Sequence, residues 1–123
     1  MAGDAKELIE TAARRVLDEV PSLKPMKLIV GVDLHGRGDT QQFRLQLPEL
    51  MVTKDIAADA KVRVDMQRSF FNTMVEQEAK IADWREAFMY GQAKASGVQQ
   101  LLQLVVKVVE LQEERSRTRR ARH

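Results

Sequence analysis

The spacing of apolar side chains changes period several times along this chain, and each change marks an element. From residue 5 to 20, Ala5, Leu8, Ile9, Ala12, Ala13, Val16, Leu17 and Val20 recur at three- and four-residue intervals, which makes one helical face. Asp4 followed by Glu7 has capping-box spacing, and Pro21 and Pro25 close the helix. The period then drops to two. Residues 27–34 place Leu28, Val30, Val32 and Leu34 on one side, and residues 41–47 set Phe43, Leu45 and Leu47 against Gln42, Arg44 and Gln46. Residues 50–53 make a short run after Pro48, and residues 61–66 alternate Val62, Val64 and Met66 with Lys61, Arg63 and Asp65. Alternation of this kind buries one face and wets the other, as in an antiparallel sheet. The glycines of His35-Gly36-Arg37-Gly38-Asp39 predict a hairpin turn between the first two strands.

After Met66 the period is helical again. Phe70, Phe71, Met74 and Val75 form an apolar patch on a helix of about three turns starting near Ser69. Ile81 falls in a connecting stretch. Asp83 and Glu86 repeat the capping-box spacing and open a short helix with Trp84, Ala87 and Phe88 on one side, for which Gly91 fits the C-terminal cap. Residues 92–96 read as a fifth strand with small inward residues, Ala93 and Ala95. Ser96 and Gln99 have capping-box spacing a third time and open the last helix. That helix is unusual. Nine of the fourteen residues from 98 to 111 are Val or Leu, while Gln99, Gln100, Gln103, Lys107 and Glu110 are confined to one narrow stripe. A surface helix normally has the opposite proportion. Most of its circumference must be covered by protein, by a membrane or by a bound apolar molecule.

The element order (helix, strands, two short helices, strand, helix) predicts an α+β domain, a five-stranded mainly antiparallel sheet with helices packed on one face. At 123 residues, 44% hydrophobic and 31% charged, the chain has the composition of one globular domain with a real core. No apolar run reaches the length of a membrane span, because Gln103 and Lys107 interrupt the longest one. The opening MAGDAKELIE is acidic and helical rather than a signal peptide, and cysteine is absent, so a cytoplasmic location is expected. The closing Ala121-Arg122-His123 lacks the Leu of a peroxisomal tripeptide. Charge divides the chain in two. Residues 1–114 hold all 18 acids and 15 of the 20 basic side chains, while residues 115–123 hold Arg115, Arg117, Arg119, Arg120 and Arg122. The division predicts a single domain over 1–114 and a basic, disordered tail over 115–123. The tail is suited to solvation alone or to contact with an anionic membrane or nucleic acid.

Little in the chain supports catalysis. Its two histidines are His35 in a turn and His123 at the end, and no metal spacing, nucleophile elbow, P-loop or dinucleotide fingerprint is present. Asp33 and His35 share a strand face but lack, in sequence, the orienting group and pocket that a working base needs. Arg37-Gly38-Asp39 matches the cell-adhesion tripeptide and also suits an ordinary hairpin. Arg44, Lys61 and Arg63 share the wet face with Asp65 and with no aromatic pair for base stacking, so no specific nucleic-acid site is read there. No enzyme, metal or cofactor is predicted.

The apolar inventory says more. Phe70, Phe71, Met74, Trp84, Phe88, Met89, Val98, Leu101, Leu102 and Val105 all lie in the second half, on three helices facing one sheet. They suit an ordinary core. They also suit the walls of a cavity, given the small Ala93 and Ala95, the adaptable methionines and the surplus apolar surface of the last helix.

Residues 60–109 resemble the sterol carrier protein 2 family. The shared pattern is an alternating strand ending in Met (AKVRVDM), a helix with an aromatic and a Met (SFFNTMV), then Ala87-Phe88, Gly91, a strand ending in Ser-Gly (QAKASG) and a closing apolar helix (VQQLLQLVV). EQEAKIADWRE is longer and more helical than the family's link at that point, and Pro48-Glu49 replaces a glycine-rich turn. The resemblance implies an apolar tunnel between sheet and helices for fatty acyl chains, sterols or isoprenoids. Carried over by position, Phe70, Phe71, Met74, Phe88, Val98, Leu101, Leu102 and Val105 would line it, with Trp84 and Met89 added from the apolar inventory. Two further roles fit the same residues: presentation of an isoprenoid quinone-like substrate to enzymes, and homodimerisation through the last helix.

Overall fold

The computed structural model describes residues 4–121, with side chains described as far as Arg115. Helix α1 (Ala5–Glu19) begins where its cap spacing requires, the backbone N–H of Glu7 donating to Asp4 Oδ1 at 2.9 Å. It buries Ile9, Ala13 and Leu17. The prolines do more than stop it: Pro21 starts a 3-10 helix (Pro21–Met26) that turns Leu23 into the core, Pro at a helix start losing no needed N–H.

One sheet follows, in the order β3-β2-β1-β4-β5. Strand β1 (Ile29–His35) pairs antiparallel with β2 (Thr40–Gln46), with Val32 opposite Phe43, and β2 pairs antiparallel with β3 (Met51–Lys54). On its other side β1 runs parallel to β4 (Val62–Gln67), with Val32 opposite Val64, and β4 pairs antiparallel with β5 (Ala93–Gly97). The sheet is therefore mixed but mainly antiparallel. Local alternation predicted its faces, but the single parallel pairing needed the tertiary structure.

The connection from β3 to β4 must cross the polar face of the sheet, and arginines from that face hold it. The Arg63 guanidinium donates to the carbonyls of Ile56 (2.6 Å) and Ala57 (3.1 Å), and Arg44 forks onto Asp59 at 2.8 to 3.2 Å. Ala57 is fully enclosed as a result. The bonds from Arg44 hold the Asp59 carboxyl below the usual carboxylate range and raise the arginine in turn.

The helices gather on the opposite, apolar face. Helix α2 (Arg68–Glu76) buries Phe71 and Val75, α3 (Ile81–Met89) buries Ala87, and α4 (Gln99–Ala121) buries Val109 in the same core as Val30, Val32, Leu34, Phe43 and Leu45. Two helix starts differ from expectation. Ile81 is the first residue of α3 rather than part of a connection, because its N–H is taken by Glu19 Oε1 from α1 at 3.0 Å. Asp83 sits inside that first turn and accepts the N–H of Lys80 at 2.9 Å. Ser96 does not open α4; it stays in β5 opposite Arg63, and ladder pairing outcompetes the cap. The boundary expected at residue 114, with a disordered basic tail after it, falls inside α4, whose backbone is helical as far as Ala121; of the tail's side chains only Arg115 is described, and residues 122–123 lie outside the described residues. Among the described residues, no helix is long and apolar enough to cross a membrane.

Gly97 makes the turn from β5 into α4 at φ +131, and a Cβ there would clash with the Lys61 carbonyl oxygen. Gly91, at φ +78, has open space around it. Gly97→Ala is expected to cost on the order of 3 kcal/mol and Gly91→Ala about 1 kcal/mol. Urea melts of the two variants measure this, and equal costs would contradict the close approach at Gly97.

Candidate apolar ligand site

Helical cover of the sheet is uneven. On β1 and β2 the inward Val30, Val32, Leu34, Phe43 and Leu45 are all buried. On β4 and β5 the cover thins. Val62, Met66 and Ala93 are buried, but Val64 is half-buried and Ala95, on the same face by strand alternation, is exposed. Above this side stand Phe70 and Met74 of α2, Ile81, Trp84 and Phe88 of α3, and Leu101, Val105 and Val108 of α4. Each packs against the core while remaining half-buried.

Ion pairs and caps position the three helices. Arg15 of α1 donates to the Val75 carbonyl at the end of α2 at 2.8 Å, and Glu19 receives the start of α3. Arg85 of α3 reaches α4, at 2.8 Å from Glu113 and 3.8 Å from Glu110. Below them the Phe71 and Trp84 rings meet with centroids 6.1 Å apart.

Two concavities flank this layer. A cleft of about 300 Å³ between α2 and α3 is lined by Phe70, Met74, Ala79 and Ala87, with Gln77, Asp83, Glu86 and Gln92 also on its walls. Its size is at the lower end for small-molecule sites. A shallower groove of about 500 Å³ runs along the outside of α4, lined by Leu102 and Val106 with Gln99, Gln103, Lys107 and Glu110. The polar stripe read from the sequence is thus the solvent face of α4. Apolar residues emerge on both sides of it, Val106 at 51% and Leu104 at 48% exposure.

The residues named from the sequence separate accordingly. Phe70 and Met74 line the α2–α3 cleft, and Leu102 lines the α4 groove. Trp84, Phe88, Leu101 and Val105 belong to the half-buried layer, and Phe71 lies in the core. Met89 and Val98 point outward, at 69% and 44% exposure. Sequence reading missed Gln77, Ala79, Asp83, Glu86, Ala87 and Gln92 as cleft residues. Asp83, Glu86 and Ala87, spaced three and four apart on α3, carried the detectable signal.

On the polar sheet face, His35 Nε2 lies 2.7 Å from Asp65 Oδ2 and its Nδ1 lies 2.9 Å from Thr40 Oγ1. The chain of bonds ties the β1–β2 hairpin to β4, and both concavities lie elsewhere. Among the described residues, no three His, Cys, Asp or Glu side chains are grouped as a metal site would need.

The architecture is that of sterol carrier protein 2-like domains. It is similar to sterol carrier protein 2-like 2 from Aedes aegypti, with TM-score 0.55, 18% identity, and 87% of this chain and 98% of that one covered. The palmitated form of the same mosquito protein gives TM-score 0.54 and 18% identity over 82% and 93% of the two chains. Sterol carrier protein 2 from Yarrowia lipolytica, in its apo form, gives 0.52 and 20% identity over 76% and 83%. A sec-alkylsulfatase from Pseudomonas sp. gives 0.54 and 15% identity, covering 89% of this chain but only 16% of that one. At these identities the likeness establishes the fold. Neither a family model nor a curated protein sequence matches the chain.

The adjacent Phe70 and Phe71 separate wall from core. Phe71→Ala is expected to cost about 3–5 kcal/mol and to shift Trp84 emission to the red; Phe70→Ala, already half-exposed to the cleft, should cost about half as much or less. Denaturant melts followed through this one tryptophan measure both, and comparable costs would place Phe70 in the core as well.

Proposed function

We propose that the protein is a non-enzymatic carrier that holds an apolar molecule, of fatty acyl, sterol or isoprenoid type, between the sheet and helices α2, α3 and α4. The observation that carries this reading is the half-buried apolar layer over an incompletely covered β4–β5 side. In a closed core Val64, Phe88, Leu101 and Val105 would be sealed, since interiors pack without gaps. An apolar ligand completes that packing. Burial gains roughly 0.8 kcal/mol per CH₂, so a ten-carbon chain supplies several kcal/mol after ordering costs. Apolar walls impose little direction, which suits a carrier of related chains. The palmitated mosquito protein of the same fold supports a lipid chain as the occupant.

Delipidated protein titrated with the neutral fluorophore N-phenyl-1-naphthylamine should enhance the dye's emission and quench Trp84, and Met74→Trp should weaken uptake by filling the cleft. Native mass spectrometry of the unextracted protein should show bound lipid. No dye uptake together with no bound lipid would refute the carrier reading.

Release to a membrane is the second part of the reading. Leu104, Val106 and Leu111 are exposed on α4, next to Lys107 and ahead of the run of arginines in residues 115–123. Apolar positions beside cations match an anionic bilayer surface. Truncation after Glu114 is expected to slow transfer to vesicles containing phosphatidylserine while leaving dye affinity unchanged. Equal transfer rates would remove the tail from the mechanism.

A further inference from the structure

The walls of the α2–α3 cleft are asymmetric in chemistry. Phe70, Met74, Ala79 and Ala87 supply apolar surface, while Gln77, Asp83, Glu86 and Gln92 supply every polar side chain, and no lysine or arginine lines the cleft. The two carboxylates stand one helical turn apart on α3. Asp83 is engaged by the Lys80 N–H at 2.9 Å. Glu86 is exposed and makes no ion pair among the described residues, whereas Arg85 beside it is turned away to Glu113 and Glu110 of α4.

Resting on the carrier reading above, we propose that this cleft selects its ligand by head group: it takes amphiphiles with a neutral hydroxyl or a cationic amine and excludes free carboxylates. An apolar tail lies on Phe70 and Met74. Its head is then left among two amides, which hydrogen-bond a hydroxyl or an ammonium, and two carboxylates, which repel a third. A carboxylate head would need a cation or several N–H donors facing it, and the walls hold only the amide groups of Gln77 and Gln92. Glu86 is the specificity-determining residue, since Asp83 is already committed to the start of α3. Repulsion acts against the wrong ligand as much as hydrogen bonding favours the right one.

The test is competition at pH 7.5 between bound N-phenyl-1-naphthylamine and three ligands of one chain length, dodecanol, dodecylamine and dodecanoate, all below their micellar concentrations. Wild-type protein should be displaced by dodecanol and dodecylamine at concentrations about tenfold lower than by dodecanoate. Glu86→Gln should narrow the gap by improving dodecanoate alone, and Glu86→Lys should reverse the order of amine and carboxylate. Glu86 is solvent-exposed, so thermal melts should show both variants folded. Gln103→Glu, which adds a carboxylate to the α4 groove, should leave the order untouched. If dodecanoate competes as well as dodecanol, or if Glu86→Lys leaves the order unchanged, head-group selection by this cleft is wrong while the carrier reading stands. If Gln103→Glu moves the order instead, the head group lies along α4 and the proposal is equally overturned. If the dye and all three ligands fail to bind, the carrier reading itself fails.

Discussion

The parallel pairing of β1 with β4 is the constraint on which the rest of the structure depends. It joins a half built from α1 and the first three strands to a half built from α2, α3, β5 and α4. Because β4 runs the same way as β1, α2 starts at the hairpin end of the sheet, where Arg68 meets Asp39 of the hairpin at 2.7 Å. The chain must also return from the edge strand β3 across the polar face, which is why Arg44 and Arg63 grip the loop that carries Ala57. With that face occupied by ion pairs and a loop, every helix is left to the other face.

That shared face is covered unequally. Helix α1 lies against β3, and with the 3-10 helix after it contributes Ile9, Leu17, Val20 and Leu23 to the core, all nearly inaccessible. Two nine-residue helices and one long one share the β4–β5 side and meet through side chains rather than through a continuous buried seam. Small residues on β5 contribute little volume there, so the large apolar side chains of α2, α3 and α4 end half-buried. A fold whose entire apolar face was sealed would have no place for a guest molecule. Thin cover over one side of a firm sheet is where the proposed guest would sit, with the core left intact.

Local pattern was enough wherever one element could satisfy itself. Asp4 caps α1 from three residues away, and the alternation of residues 28 to 47 assigns Phe43 and Leu45 to the core with no knowledge of their partners. It failed where a distant group competed. Glu19 lies 62 residues before Ile81, and its carboxylate moves the start of α3 two residues ahead of Asp83, the expected cap. Ser96 has cap spacing with Gln99, but its place opposite Arg63 in the ladder is a contact between elements. Apolar spacing named Phe70 and Met74 as candidate wall residues and both line the α2–α3 cleft, whereas Gln77, Glu86 and Gln92 became cleft residues only through the packing of α2 beside α3.

By itself, then, the order of residues determined the fold class, the faces of each element and the surplus of apolar surface on α4, because periodicity and turn chemistry act over a few residues. It could not distinguish Phe70 from Phe71, or Met89 from Met74, since neighbouring apolar side chains carry the same local signal. Tertiary structure decided which of them face the core, the cleft or water. It also decided that β4 lies parallel to β1 and that the polar stripe of α4 is the solvent face. These outcomes depend on which surfaces meet, and that is set by contacts between residues far apart in the chain.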